Sequence, residues 1–444
     1  MSIAARLERL PLSRVHRRFI TLISLGAWFD FYDIFMVAYL GAALRASGFL
    51  DANQLALFVA AGFGGMFIGA LVFGMGSDAM GRRTAFIFML LIYSVCTLAG
   101  AAAPNAWWLI AARALAGIGI GAETIVIDTY VTEMVPSGVR GRYVAITQAV
   151  GFTAIPTVAL ASYLLIPTHL LIDGWRWVMI LGGAGALVAW HLRLGLSESP
   201  RWLECRGRVA EANAIVDAFE REVAVEHGGT LPPPSTMVVD AVARVPWSEL
   251  WQPPFLGRTL MLIAFQVLQT IGLYGWANWL PTLLVQRGVP LVTSLLYTFL
   301  MAIASPFGPL LAVWTSDSFE RKWTIVVLSL VMAAIGLVFL QVRAPLSVIA
   351  CGAALTMVSY WFSAAFHAYQ AELFPTRARG TGVGFTYSWS RLSAAGSSLL
   401  IGALLTQGVA AVVMLITVAW LGVAAIIGAL GPKTNAMPLE AISR

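Results

Sequence analysis

Two carboxylic acids stand three residues apart inside a long apolar run, in Trp28-Phe29-Asp30-Phe31-Tyr32-Asp33. On a helix this spacing puts both on one face. Two close carboxylates in a low-dielectric medium do not both ionise cheaply, so such a couple suits taking up a proton on one side of a membrane and releasing it on the other. Far along the chain Arg391 lies in a second apolar run, Trp389-Ser390-Arg391-Leu392-Ser393. A guanidinium stays charged, and its fork fits a carboxylate bidentately. Arg113 and Glu123 share a third run. An ionisable group at the centre of a spanning helix costs at least about 2.5–3.5 kcal/mol to insert and is a functional candidate by default. A plainer alternative stays open for each. The aspartates pair with an arginine and never titrate, or Arg391 neutralises Asp30 or another buried acid at rest. Glu123 is either a second proton site, besides the aspartate pair, or a partner of Arg113, although nearly three turns separate them on one helix. His367, a lone histidine in a span, reads first as a hydrogen-bonded structural residue. Tyr32, Trp276, Trp361 and Trp389 are candidates to wall a planar ring. Gln148, Gln266 and Gln269 are candidates to hydrogen-bond a substrate, with interhelical bonding the alternative.

No Ser/His/Asp grouping, metal-ligand spacing or phosphate-binding loop accompanies these residues. The three cysteines, Cys96, Cys205 and Cys351, are scattered and give no disulfide framework. Neither an enzyme nor a cofactor is expected; the coupling ion is the proton. Of 444 residues, 59% are apolar and 11% charged, and the mean hydropathy is +0.81. A soluble chain carries about a quarter charged residues, so this composition excludes a soluble enzyme, a disordered chain and a nucleic-acid binder. What remains is an all-α polytopic membrane protein, since lipid offers the backbone no partners.

Apolar runs of about 20 residues predict spans near 20–44, 55–77, 84–103, 107–131, 143–166 and 175–195, then 257–282, 292–315, 323–342, 346–370, 381–406 and 409–430. The domains expected are a six-helix bundle over 1–195, a cytoplasmic loop over 196–256 with an amphipathic helix near Arg208–Glu226, a second bundle over 257–432 and a tail over 433–444. That helix should bury Val209, Ala212, Ile215, Val216 and Phe219. Of the 28 Lys and Arg, Arg45, Arg176, Arg287 and Arg343 fall on one side and Arg113 and Arg391 inside spans. The rest lie at the other side, which puts both termini in the cytoplasm. Arg6, Arg9, Arg14, Arg17 and Arg18 before the first apolar run mimic a signal peptide. That run is too long, carries two aspartates and lacks a cleavage site, so it reads as a retained span, with the inner membrane of a bacterium the expected location.

Two motifs recur at one offset of 239 residues. Asp78-x-x-x-Arg82-Arg83 is matched by Asp317-x-x-x-Arg321-Lys322, and Tyr130-x-x-Glu133-x-x-Pro136-x-x-x-Arg140-Gly141 by Tyr369-x-x-Glu372-x-x-Pro375-x-x-x-Arg379-Gly380. Two motifs sharing one offset imply duplicated bundles of parallel topology, with binding near the midplane between them.

On these motifs, on Arg113-x-x-x-Gly117-x-Gly119-x-Gly121 and on Ser197-Glu198-Ser199-Pro200-Arg201-Trp202-Leu203, the sequence resembles the major facilitator superfamily. The Asp-x-x-Asp pair is similar to that of its aromatic acid:proton symporters, which usually carry Gly where Phe31 stands. The Glu-Ser-Pro-Arg-Trp-Leu string resembles sugar porters and organic-ion transporters. The resemblance implies charge-paired clasps, formed by Asp78, Arg82, Arg83, Glu133, Arg140, Asp317, Arg321, Glu372 and Arg379, that hold the outward-open state. It places Arg113 near the span 1 aspartates and gives Arg391 an anionic substrate. The expectation is a proton-coupled, alternating-access transporter of an aromatic or other monocarboxylate. A proton-coupled porter of sugars, polyols or neutral metabolites is the rival, and a membrane sensor the non-transport alternative. No nucleic acid or obligatory protein partner is expected.

Overall fold

The computed structural model describes residues 3–434, apart from 122, 230, 234–246, 254, 316–318 and 375. It is built of helices. A short α1 (Ile3–Glu8) precedes six spans: α2 (Arg14–Ala46), α3 (Ala52–Met80), α4 (Arg82–Ala101), a fourth made of α5 (Ala106–Ile120) and α6 (Glu123–Met134), a fifth made of α7 (Ser137–Phe152) and α8 (Ala154–Leu165), and α9 (Gly174–Arg193). Two helices, α10 (Pro200–Cys205) and α11 (Val209–Glu226), fill the central stretch. The second six are α12 (Leu256–Ala277) with α13 (Leu280–Gln286), α14 (Leu291–Ala302) with α15 (Phe307–Thr315), α16 (Arg321–Gln341), α17 (Pro345–Glu372), α18 (Thr376–Leu405) and α19 (Val409–Leu430).

Proline sets three of the interruptions inside spans. It lacks an N–H and its ring clashes with the carbonyl four residues earlier. Phe152, Ala277 and Ala302 end α7, α12 and α14, four residues before Pro156, Pro281 and Pro306. Nine described helices or joined spans are long and apolar enough to cross a membrane. The spans of α5–α6, α9 and α18 fall outside those nine and carry the buried arginines Arg113, Arg193 and Arg391.

Within the first half, α3 and α5 approach at backbone distance. A Cβ on Gly65 or Gly69 would collide with the carbonyls of Ala114 or Ile118, the small-residue packing that membrane helices use. The halves meet mainly where α3 packs on α18 and α8 on α14. Gly402 lies against Ala56, and the rings of Phe35 and Phe152 meet Tyr360. These contacts cluster toward the ends of the spans remote from Arg82 and Arg321, so the halves are closed at that end.

Outside the spans, α1 lies on α10 and α11 over a separate small core of Ile3, Leu7, Leu10, Trp202, Leu203, Ala212, Val216 and Val223. Of the face expected for α11, Ala212 and Val216 are buried, whereas Val209 is exposed at the first turn. The helix α1 was not expected.

Candidate functional site

The buried charges at mid-bundle, among the described residues, are Asp30, Asp33 and Glu123 against Arg113, Arg193 and Arg391. They form three groups. In the first, Arg113 of α5 pairs with Asp33 of α2 and also donates to its backbone oxygen at 3.4 Å. Thr97 of α4 donates to the other Asp33 oxygen at 3.3 Å. Arg113 thus meets the span 1 aspartates at Asp33.

The second group joins Asp30, Glu123 and Arg193. Arg193, the last residue of α9, donates to Glu123 Oε1 at 2.9 Å with both side chains fully buried. Its other nitrogens donate to the carbonyls of Leu22 at 3.2 Å and Ile23 at 3.3 Å, and the guanidinium lies 3.7 Å over the Phe86 ring. Room for it comes from Gly26, where a Cβ would overlap the guanidinium. Asp30, one turn along α2, has its carboxyl within hydrogen-bonding reach of Glu123. Both Asp30 oxygens and Glu123 Oε2 are buried with no hydrogen-bond donor among the described residues. Glu123 therefore pairs with Arg193 and not with Arg113, and the two span 1 aspartates diverge to different partners. Arg193 reads in the sequence as an end-of-span cytoplasmic charge; only its place at the close of an apolar run hinted otherwise.

The third group is Arg391 in α18. It is 6% exposed and donates to the hydroxyls of Tyr274 at 3.0 Å and Tyr387 at 3.4 Å. No carboxylate forms an ion pair with it among the described residues; the acid that bears on it electrostatically is Asp30, in the other half. Beside Tyr387, the His367 ring lies at 5.8 Å, tilted by 51°, and bonds Gln370 at 3.2 Å. Gln370 accepts from Gln266 at 3.0 Å, and Gln266 from Gln269 at 3.0 Å. The two glutamines expected to meet substrate thus bond first to each other and to Gln370.

Between the halves lies a cavity of about 40 Å³, lined by Phe35, Tyr39, Trp276, Thr298, Ser359 and Tyr360 among others. It has room for a few waters and is far short of a ligand pocket, so an aromatic ring needs the halves to part there. The buried Trp276 indole N–H has no acceptor among the described residues, and Trp276 keeps its place as a candidate contact.

Tyr32 is buried and donates its hydroxyl to the Val178 carbonyl of α9 at 3.1 Å, away from the second half. The Trp361 indole donates to Thr315 at 3.0 Å, in the packing of α17 on α15. Trp389 stands two positions from Arg391, about 200° round the helix, and faces a different side. Gln148 is half-buried. Tyr39 and Tyr360 line the cavity and Tyr274 bonds Arg391; aromatic residues are so frequent in the spans that the sequence does not set these three apart.

Near the other end, Arg82 pairs with Glu133 at 3.2 Å and Arg321 with Glu372 at 2.8 Å. These are the same two positions in each repeat, and each pair braces one half internally. Glu198 accepts from the backbone N–H groups of Arg82 at 2.9 Å and Arg83 at 3.0 Å. It caps the positive end of α4, a role the Ser-Glu-Ser-Pro string did not reveal. Arg83 donates to the Leu194 carbonyl at 2.8 Å. The side chains of Asp78, Arg140 and Arg379, and Asp317 as a whole, lie outside the described residues.

Two six-span bundles with opposed charges buried at their middle define a multi-pass membrane carrier of the major facilitator fold. The chain belongs to the sugar (and other) transporter family, whose model matches residues 19–444. It is 33% identical over 436 residues to the putative metabolite transport protein YyaJ of Bacillus subtilis, covering 98% of this chain and 96% of that protein. It is 31% identical over 447 residues to the niacin transporter NiaP of Acinetobacter baylyi, covering 100% of both. The inner membrane metabolite transport protein YdjE of Escherichia coli is 31% identical, over 99% of this chain and 98% of that protein. Among solved structures, the xylose transporter XylE from E. coli, partially occluded and inward open, matches with a TM-score of 0.78 at 17% identity, over 96% of this chain and 100% of that one. That likeness concerns the fold. The protein is a membrane transporter and not an enzyme.

Proposed function

We propose that the protein carries a small aromatic monocarboxylate together with a proton. The observation that carries this reading is the environment of Arg391. It is a buried, permanent cation held by two tyrosine hydroxyls, with no ion-paired carboxylate among the described residues. A buried guanidinium without a counter-charge is costly, and a substrate carboxylate supplies one in bidentate geometry. At rest Asp30 balances Arg391 across the space between the halves. When the substrate anion takes over that balance, Asp30 accepts a proton, so anion and proton enter the site together and leave together. The niacin transporter among the relatives supports this substrate class, since niacin is a pyridine monocarboxylate.

The rival is a neutral sugar or polyol, favoured by the xylose-transporter fold match and by the Gln266, Gln269 and Gln370 amides. Thermal shift of the purified protein separates the two, because a ligand that binds the folded state raises the melting temperature. Nicotinate and benzoate should stabilise the wild type, and Arg391→Gln should abolish that shift. Stabilisation by xylose and not by the acids would favour the rival. In vesicles Asp30→Asn should keep counterflow exchange while losing accumulation driven by a pH gradient.

A further inference from the structure

Resting on that reading, we propose that the coupled proton is shared between Asp30 and Glu123, and that Arg193, seated in the notch left by Gly26, is the positioning residue that tunes how tightly it is held. The argument starts from a hydrogen-bond inventory. An ionised carboxylate can only accept, and a buried acceptor without a donor costs about 1–3 kcal/mol, more when charged. Both Asp30 oxygens and Glu123 Oε2 are in that position, while Glu123 Oε1 takes the Arg193 bond. One proton between the two acids turns one of them into a donor and satisfies the other. It also leaves the trio at zero net charge: one carboxylic acid, one carboxylate, one guanidinium. Without the proton the trio carries one negative charge, the charge that Arg391 balances when no substrate is bound.

The other groups around Asp30 do not perform this task. Asp33 on the same helix is closed by Arg113. The Tyr93 hydroxyl of α4 donates to the Phe29 carbonyl at 3.1 Å. From the facing half, Arg391 acts at a distance. Thr147 of α7 bonds Ser24 at 3.3 Å, and α11 reaches only the start of α2, through Glu226. Of the other neighbours, α8, α13 and α14 carry no charged residue, and α3 carries Asp78 near its far end, with a side chain outside the described residues. Arg193 is fixed from four directions, by Glu123, two α2 carbonyls and the Phe86 face, so its charge stays with Glu123 whether or not the proton is present.

The signs follow from Coulomb's law. Removing the Glu123 charge leaves Asp30 facing Arg193 alone, which favours the ionised form and moves proton uptake to lower pH. Removing the Arg193 charge leaves two acids without a cation and moves uptake to higher pH. The test is infrared detection of the protonated-carboxyl band in the purified protein without substrate, titrated by pH, with Asp30→Asn to identify the band. The midpoints should rise in the order Glu123→Gln, the double variant Glu123→Gln with Arg193→Gln, wild type, Arg193→Gln, each single variant moving by at least one pH unit. The double variant buries no unpaired charge and keeps the test decisive if a single variant does not fold: its midpoint must still lie below that of the wild type. Midpoints that coincide, or any other order, overturn the proposal. A wild-type spectrum with no band that Asp30→Asn removes would overturn the proton reading of the whole site instead.

Discussion

Asp33 and Asp30 sit one turn apart, yet they meet different partners. Neither Asp30 oxygen has a hydrogen-bond donor among the described residues, whereas Asp33 has its own guanidinium and a threonine hydroxyl. Breaking such a buried pair from one side strands a charge and costs on the order of 3–5 kcal/mol. Asp33→Ala or Arg113→Ala should each lower the melting temperature strongly, and the double substitution should recover part of the loss. A double no more stable than either single would show that the pair is not what holds this region. The Asp-x-x-Asp spacing was legible in the sequence, as was an arginine facing it from span 4. Which acid met which arginine was not. Glu123 and Arg193 come together only when α6 and α9 close on Gly26, and no local pattern reports that. The partners of Tyr32 and Trp361, both within their own half, were hidden for the same cause: an apolar helix does not disclose which face meets the other half.

Helix ends account for several charges that counting by membrane side left unexplained. Arg176 donates to the Ala101 carbonyl at 2.7 Å, and Arg287 to the carbonyls of Phe339 at 3.1 Å and Val342 at 2.9 Å. They cap the C-terminal ends of α4 and α16, where cations are favoured. At the opposite face, Arg6 donates to Glu220 at 2.7 Å and to Asp217, Arg9 donates to Glu220 at 2.7 Å, and Arg17 donates to Glu226 at 3.0 Å. Partial burial pushes the Glu220 carboxyl up, but the bonds from Arg6 and Arg9 outweigh it and hold the group below its usual range. A carboxyl lowered on folding stabilises the docked state above its unfolded value and loses that contribution as pH falls through the folded one. Limited proteolysis should therefore release α1 as pH drops below the ordinary carboxylate range and leave it protected at neutral pH. Glu220→Gln should expose it at neutral pH, and unchanged protection would refute the clamp. In the α12–α13 span, Pro281→Ala should restore a continuous helix beside the cavity, slowing exchange while leaving the melting temperature near wild type; unchanged exchange rates would show that the break is not used in transport.

The repeat is the feature of the whole molecule most plainly written in the sequence. It returns as geometry in the Arg82–Glu133 and Arg321–Glu372 pairs, which occupy equivalent positions in the two halves. Each pair lies within a half, so it braces that half and not the contact between the halves. The second half did not copy the first at the site itself: Gln269 and Gly272 stand, by the same offset, where the first half has Asp30 and Asp33. The proposed function follows this asymmetry: the proton-carrying acid lies in one half, the buried cation Arg391 in the other, and the substrate links them. Proteoliposome uptake of nicotinate under an imposed pH gradient tests this most directly. Expected are accumulation that tracks the gradient in the wild type, exchange without accumulation in Asp30→Asn, and loss of nicotinate affinity in Arg391→Gln. Gradient-driven accumulation that survives in either variant would contradict the coupling of a buried acid to a buried cation through the substrate.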